Sequence, residues 1–160
     1  MNMSEIEHFA TQLGARLKQQ DLCLVTAESC TGGWLAQAIT SVPGSSAWFE
    51  RGFVTYSDLA KQEVLAVKTE TIASYGAVSE QTALEMVKGA LAQSQAQVGI
   101  AITGIAGPSG GTVEKPVGTV WIAYAFPSNT YAQHNYFFGD RSRIREQAVV
   151  TALQRLVQSI

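Results

Sequence analysis

Two hydrophobic rhythms alternate along this chain. Ile6, Phe9, Ala10, Leu13 and Leu17 recur at helical spacing, which predicts an amphipathic helix from Ser4 to about Gln19. Leu22-Cys23-Leu24-Val25-Thr26-Ala27 is an apolar run of strand length, a buried strand. Thr31 to Ser41 reads as a helix, stopped by Pro43-Gly44. Phe49 to Tyr56 is a second strand, and Ser57-Asp58 caps a short helix running to about Val67. Ser79 caps a longer helix that carries Ala83, Met86, Val87, Ala90 and Leu91 on one face. Gln97 to Thr103 is a third, nearly all-apolar strand, followed by the glycine-rich stretch Gly104 to Gly111. Val117 to Phe126 and Tyr131 to Phe138 form two strands around Pro127-Ser128-Asn129-Thr130. Asp140 caps a last helix to the end of the chain.

This order dictates a sheet. Helices join the first three strands, which therefore run parallel. No helix separates the third from the fourth, so the fourth turns back, and the hairpin brings the fifth parallel to the first three. The expected fold is α/β: a mixed five-stranded sheet, fourth strand antiparallel, with helices on both faces. In open α/β sheets ligands bind at the C-terminal ends of the parallel strands. Four polar stretches meet there: Ser29, Tyr56 with Lys61, Thr103-Gly104, and Gly139-Asp140-Arg141.

Composition narrows the function. The 160 residues suit one domain, and 46% apolar with 15% charged residues describes a chain with a real core. A net charge of -2 offers no general attraction to nucleic acid or anionic membranes. No apolar run approaches membrane-spanning length. The start, Met1 to Glu5, lacks a secretory core, and Cys23 and Cys30 lie too far apart along one strand for a disulfide. Both observations point to the cytoplasm. Apolar faces on the first and last helices leave room for a homodimer.

Ser29 ends a buried strand, on a tight turn at the mouth of a helix. Backbone N–H groups of Cys30, Thr31, Gly32 and Gly33 are placed there to hold an oxyanion. A serine nucleophile needs a base. The chain has only His8, in the first helix, and His134, mid-strand in the hairpin; neither suits a triad. Lys61, in the first turn of its helix, is the better base. There the macrodipole and partial burial both favour its neutral form. An ordinary exposed helix lysine fits the same position. Tyr56 orients the lysine, relays a proton, or simply packs. Cys30 is a competing nucleophile, and the pattern does not choose between it and Ser29. Glu28 orients its neighbours or is solvated. Arg141 and Arg145, one helical turn apart at a helix N-terminus, make a phosphate site together with the glycine loop. No set of residues has the spacing of a metal site.

Ala27 to Gly33 (AESCTGG), Tyr56 to Lys61 (YSDLAK), Gly76 to Ser79 (GAVS), Gly104 to Pro108 (GIAGP), Lys115 to Val120 (KPVGTV) and Gly139 to Arg141 (GDR) together resemble the CinA C-terminal domain, in order and over nearly the whole chain. The chain looks like a stand-alone member, a single domain over 1–160. The resemblance implies a three-layer α/β/α sandwich and an amidase that converts nicotinamide mononucleotide to nicotinic acid mononucleotide and ammonia, in pyridine-nucleotide salvage. It carries a serine nucleophile onto Ser29, a lysine base onto Lys61, and a nearby tyrosine onto Tyr56. Thr103 and Gly104 join the substrate-binding set, and no cofactor is called for. Two other readings stand beside it: a serine amidase for a different amide, and a non-catalytic nucleotide-binding module in which Ser29 is only a helix cap.

Overall fold

The computed structural model describes residues 4–160; Met1 to Met3 lie outside them. Ser4 opens α1 (Glu5–Gln19) through a capping box: its hydroxyl accepts from Glu7 N–H while the Glu7 carboxylate accepts from Ser4 N–H. Each half satisfies a backbone donor that the helix start would leave bare. Then follow β1 (Leu24–Glu28), α2 (Trp34–Thr40), a short 3-10 turn (Ser45–Ala47) and β2 (Phe49–Val54). Next come α3 (Asp58–Leu65), α4 (Thr69–Tyr75), α5 (Glu80–Ala92), β3 (Val98–Gly104), β4 (Thr119–Phe126), β5 (Asn129–Tyr136) and α6 (Arg141–Ser159).

The sheet runs β2-β1-β3-β4-β5. β1 pairs parallel with both β2 and β3, while β4 is antiparallel to β3 and to β5. The fourth strand is thus the reversed one, as the connections dictate. Side chains alternate across the sheet. Leu24, Val98, Ile100, Ile102, Val120 and Ile122 face α1, α2 and α6, with Leu13, Leu17, Leu153 and Leu156. Val25, Ala27, Ala101, Ala123 and Ala125 face the other way, toward α5 and α3, with Met86, Val87 and Leu65. The second face is built of smaller residues, so α5 lies close against it. The result is the three-layer α/β/α sandwich.

Three sequence expectations change. The helix after Ser29 begins at Trp34, because Gly32 and Gly33 adopt φ of 59° and 102°, outside the right-handed helix. The hairpin turn is tighter than four residues: Phe126 pairs with Asn129 across Pro127-Ser128. α4 is an added helix; its N-cap, Lys68, makes no side-chain cap, so it carries no start signal. The apolar faces of the first and last helices pack against each other and the sheet. Among the described residues, no helix is long and apolar enough to cross a membrane.

Candidate active site

The turn from Glu28 to Gly33 is built from its ends inward. Ser29 N–H donates to Ile102 O at 2.9 Å, extending the parallel ladder one step past β1. Gly33 is the N-cap of α2 and has no side chain with which to cap it. Glu28 does so instead: its buried carboxylate accepts from Leu35 N–H at 2.8 Å and Ala36 N–H at 3.1 Å. Those are donors that an ordinary capping residue would satisfy. The carboxylate therefore ties the start of α2 to the end of β1 and fixes the span between them. Glu28→Ala removes this acceptor from a buried place. It is expected to cost about 1–3 kcal/mol of stability, read as a lower urea midpoint; an unchanged midpoint would show that the helix start is held by other means.

Within that span the turn leaves particular amides unused. Gly32 N–H donates to Ser29 O at 3.0 Å and Trp34 N–H to Thr31 O at 3.0 Å. The N–H groups of Cys30, Thr31 and Gly33 have no acceptor among the described residues. The oxyanion donors expected from this stretch thus reduce to three, and Gly32 drops out.

Lys61 reaches Ser29 from α3. Ser57 caps that helix through Ala60 N–H, and Lys61 sits one helical turn before Leu65, so both face inward. The lysine is 1% exposed. Its Nζ lies 3.0 Å from Ser29 Oγ and 3.0 Å from the Tyr56 carbonyl oxygen, and among the described residues no carboxylate pairs with it. Burial pulls its pKa below the ordinary 10.5, against the opposing pull of Asp58. Nζ donates to both oxygens; a neutral amine at this place would keep one N–H on the Tyr56 carbonyl and turn its lone pair to the Ser29 hydroxyl.

Ser29, Cys30, Tyr56, Lys61, Thr103, Gly104 and Arg141 all line one cavity of about 230 Å³, together with Asp58, Ala77, Val78 and Ala106. Four strand ends that are far apart in sequence therefore meet in space. Cys30 is buried, and burial pushes its thiol up to about 11, so it is a protonated wall rather than a thiolate. Gly104 is required by close approach: a Cβ there would lie 2.7 Å from Val120 Cγ2 and 3.1 Å from Cys30 Sγ. Thr103 does not aim its hydroxyl at substrate. It donates to Ala77 O at 2.8 Å and so pins residues 77 and 78 over the cavity.

Three expectations shift in detail. Tyr56 meets Lys61 with its backbone carbonyl, and its hydroxyl accepts from Arg141 Nη2 at 3.1 Å. Arg141 also donates to Gly107 O at 2.8 Å, which ties α6 to the glycine-rich loop; residues 107–111 of that loop stay outside the cavity lining. Arg145 is not beside Arg141 at the mouth. It turns to the backbone of the Glu28–Gly33 turn, where it donates to Cys30 O and Thr31 O; neither its side chain nor Thr31, Gly32 or Gly33 is among the residues lining the cavity. Sequence reasoning missed Asp58, Ala77 and Val78 as lining residues. The first could have been found from its place one turn ahead of Lys61. His134 packs at a tilt against Trp121 in the hairpin, ring centres 5.0 Å apart, and does not line the cavity.

The family model of the CinA C-terminal domain matches residues 6–160. Nicotinamide-nucleotide amidohydrolase PncC of Escherichia coli K12 is 50% identical over 159 residues, covering 99% of this chain and 96% of that protein. The protein of the same name from Pseudomonas putida is 47% identical over 156 residues, covering 98% of each. The crystal structure of competence/damage inducible protein CihA from Agrobacterium tumefaciens has a TM-score of 0.94 at 45% identity, covering 99% of this chain and 98% of that one.

Proposed function

Because the chain belongs to the CinA C-terminal domain family, we propose that it is a nicotinamide-nucleotide amidohydrolase using Ser29 as nucleophile and Lys61 as base. Water and the carboxamide of nicotinamide mononucleotide give nicotinic acid mononucleotide and ammonia, within pyridine-nucleotide salvage. The observation that carries this reading is the 3.0 Å approach of a buried, carboxylate-free Lys61 Nζ to Ser29 Oγ. The full-length relatives named for this activity supply the substrate.

Neutral Lys61 takes the Ser29 proton as Oγ adds to the carboxamide carbon. The carbonyl oxygen becomes an oxyanion held by free amides of the turn, among Cys30, Thr31 and Gly33. The Lys61 ammonium returns its proton to the nitrogen, the C–N bond breaks, and ammonia leaves. Lys61 then takes a proton from water as its oxygen adds to the acyl-serine ester, and returns that proton to Ser29 Oγ as the ester C–O bond breaks, which frees the serine and the acid product, ionised to its carboxylate. A cavity of about 230 Å³ is small for a whole nucleotide. The pyridine end occupies it, and the ribose phosphate extends to the mouth, where Arg141 stands at the start of α6. Two unpaired cysteines support a cytoplasmic setting.

Ammonia release from the mononucleotide, compared with release from free nicotinamide, tests the reading. The expected kcat/KM is at least about 100-fold higher for the mononucleotide, since binding of the ribose phosphate is used at the reacting centre. Equal values would remove the nucleotide from the proposal. Binding without turnover would make the chain a nucleotide-binding module.

A further inference from the structure

Arg145 crosses from α6 to the nucleophile turn. Its Nε donates to Cys30 O at 3.0 Å and its Nη2 to Thr31 O at 3.2 Å, while the guanidinium carbon lies 5.6 Å from the centre of the Trp34 ring. A peptide unit is planar and trans, so its C=O and N–H point in opposite directions and fixing one fixes the other. The unit joining Thr31 to Gly32 is pinned on both sides: Thr31 O by Arg145 and Trp34 N–H, Gly32 N–H by Ser29 O. The unit joining Cys30 to Thr31 is held through Cys30 O, which has no other donor among the described residues. On its far side the Thr31 N–H carries no acceptor.

We propose that Arg145 is a positioning residue that clamps the Cys30–Thr31 and Thr31–Gly32 peptide planes and so presets the free Thr31 amide, next to Cys30 at the cavity wall, to receive the oxyanion. This rests on Ser29 acting as the nucleophile of the reaction above. The chemistry suits arginine. Two N–H groups of a rigid, planar fork reach two successive carbonyls at once, and an aromatic face holds the plane of the fork. A lysine in its place offers a single point of contact. Arg145 therefore acts on the reaction through the backbone, and its guanidinium is already committed before any phosphate arrives.

Arg145→Met and Arg145→Lys separate this role from phosphate binding. Two readouts are followed: ammonia release from the mononucleotide, and the rate at which a fluorophosphonate labels Ser29. The probe carries no nucleotide, yet its phosphonyl oxygen must occupy the oxyanion position. The expected result is a fall of about 10–100-fold in kcat and in labelling rate together, with KM within about twofold, the lysine variant falling between methionine and wild type. A raised KM with unchanged kcat and labelling would overturn the proposal and make Arg145 a phosphate ligand. Unchanged labelling with only a lower Tm would overturn it too, leaving a structural brace. Should the methionine variant fail to fold, the lysine variant decides by the same readouts. A wild-type chain labelled at Ser29 but inert toward the mononucleotide would sink the substrate reading, while the labelling rates still judge the clamp.

Discussion

Replacing Ser29 by alanine is expected to lower kcat for ammonia release from the mononucleotide by about 10⁴-fold or more, with little change in Tm. Removing a nucleophile that works as a unit with its base abolishes the covalent route; only binding and the oxyanion donors remain to help water attack. The fold has little at stake in the hydroxyl. Its contacts are the Lys61 amine and a long 3.4 Å approach to the Tyr56 carbonyl, and the turn is held by Glu28, Arg145 and the Ser29 backbone. Cys30 is not poised to take over, because burial keeps its thiol protonated, up to about 11. Mass spectrometry of quenched wild-type turnover is expected to find the acyl group on Ser29. An adduct on Cys30, or a Ser29→Ala enzyme of wild-type rate, would reassign the nucleophile.

The sheet was legible because its evidence is redundant. Apolar runs marked β1 and β3, and the missing helix between β3 and β4 forced the reversal that the pairing shows. The convergence of Ser29, Tyr56, Lys61, Thr103 and Arg141 followed from topology alone, since parallel strands must end on one edge. What stayed hidden was the reach and direction of long side chains. Spacing put Arg141 and Arg145 on one face of α6, yet one guanidinium goes to Tyr56 and the other to Cys30 and Thr31. Nothing in a one-dimensional pattern says which carbonyls lie in range. The burial of Lys61 did have a signal, its i,i+4 spacing from Leu65 on a short helix. An apolar stripe does not say whether its partner is another chain or the same one; α1 and α6 bury theirs within this chain. Glu28 was ambiguous for a related reason. A carboxylate next to a serine reads as solvated or functional until the glycine at the α2 N-cap reveals that the helix lacks a cap of its own.

Lys61 carries the second large effect, and it separates activity from stability. Lys61→Met is expected to lower kcat by about 10³-fold or more, and Lys61→Arg similarly, because a guanidinium stays protonated and cannot accept the serine proton. In the wild type, kcat is expected to rise with pH along a limb whose apparent pKa lies below the ordinary 10.5 of lysine, since burial favours the neutral amine. The sign for stability follows from the same shift. Between the lowered folded pKa and 10.5 the unfolded chain binds more protons than the folded one, so stability rises with pH across that window. Below it the fold carries the cost of a buried ammonium without a carboxylate partner. Methionine keeps the stem and removes the charge, so Lys61→Met is expected to melt at or above the wild-type Tm near pH 6, with the advantage shrinking as pH rises toward 10. A Lys61→Met enzyme of full activity would remove the lysine from catalysis. One that melts well below wild type at every pH would show that the amine is held for structure, through its bonds to Ser29 and the Tyr56 carbonyl. The expected pairing, an inactive enzyme that is no less stable, is the mark of a base whose burial is tolerated for the proton it moves.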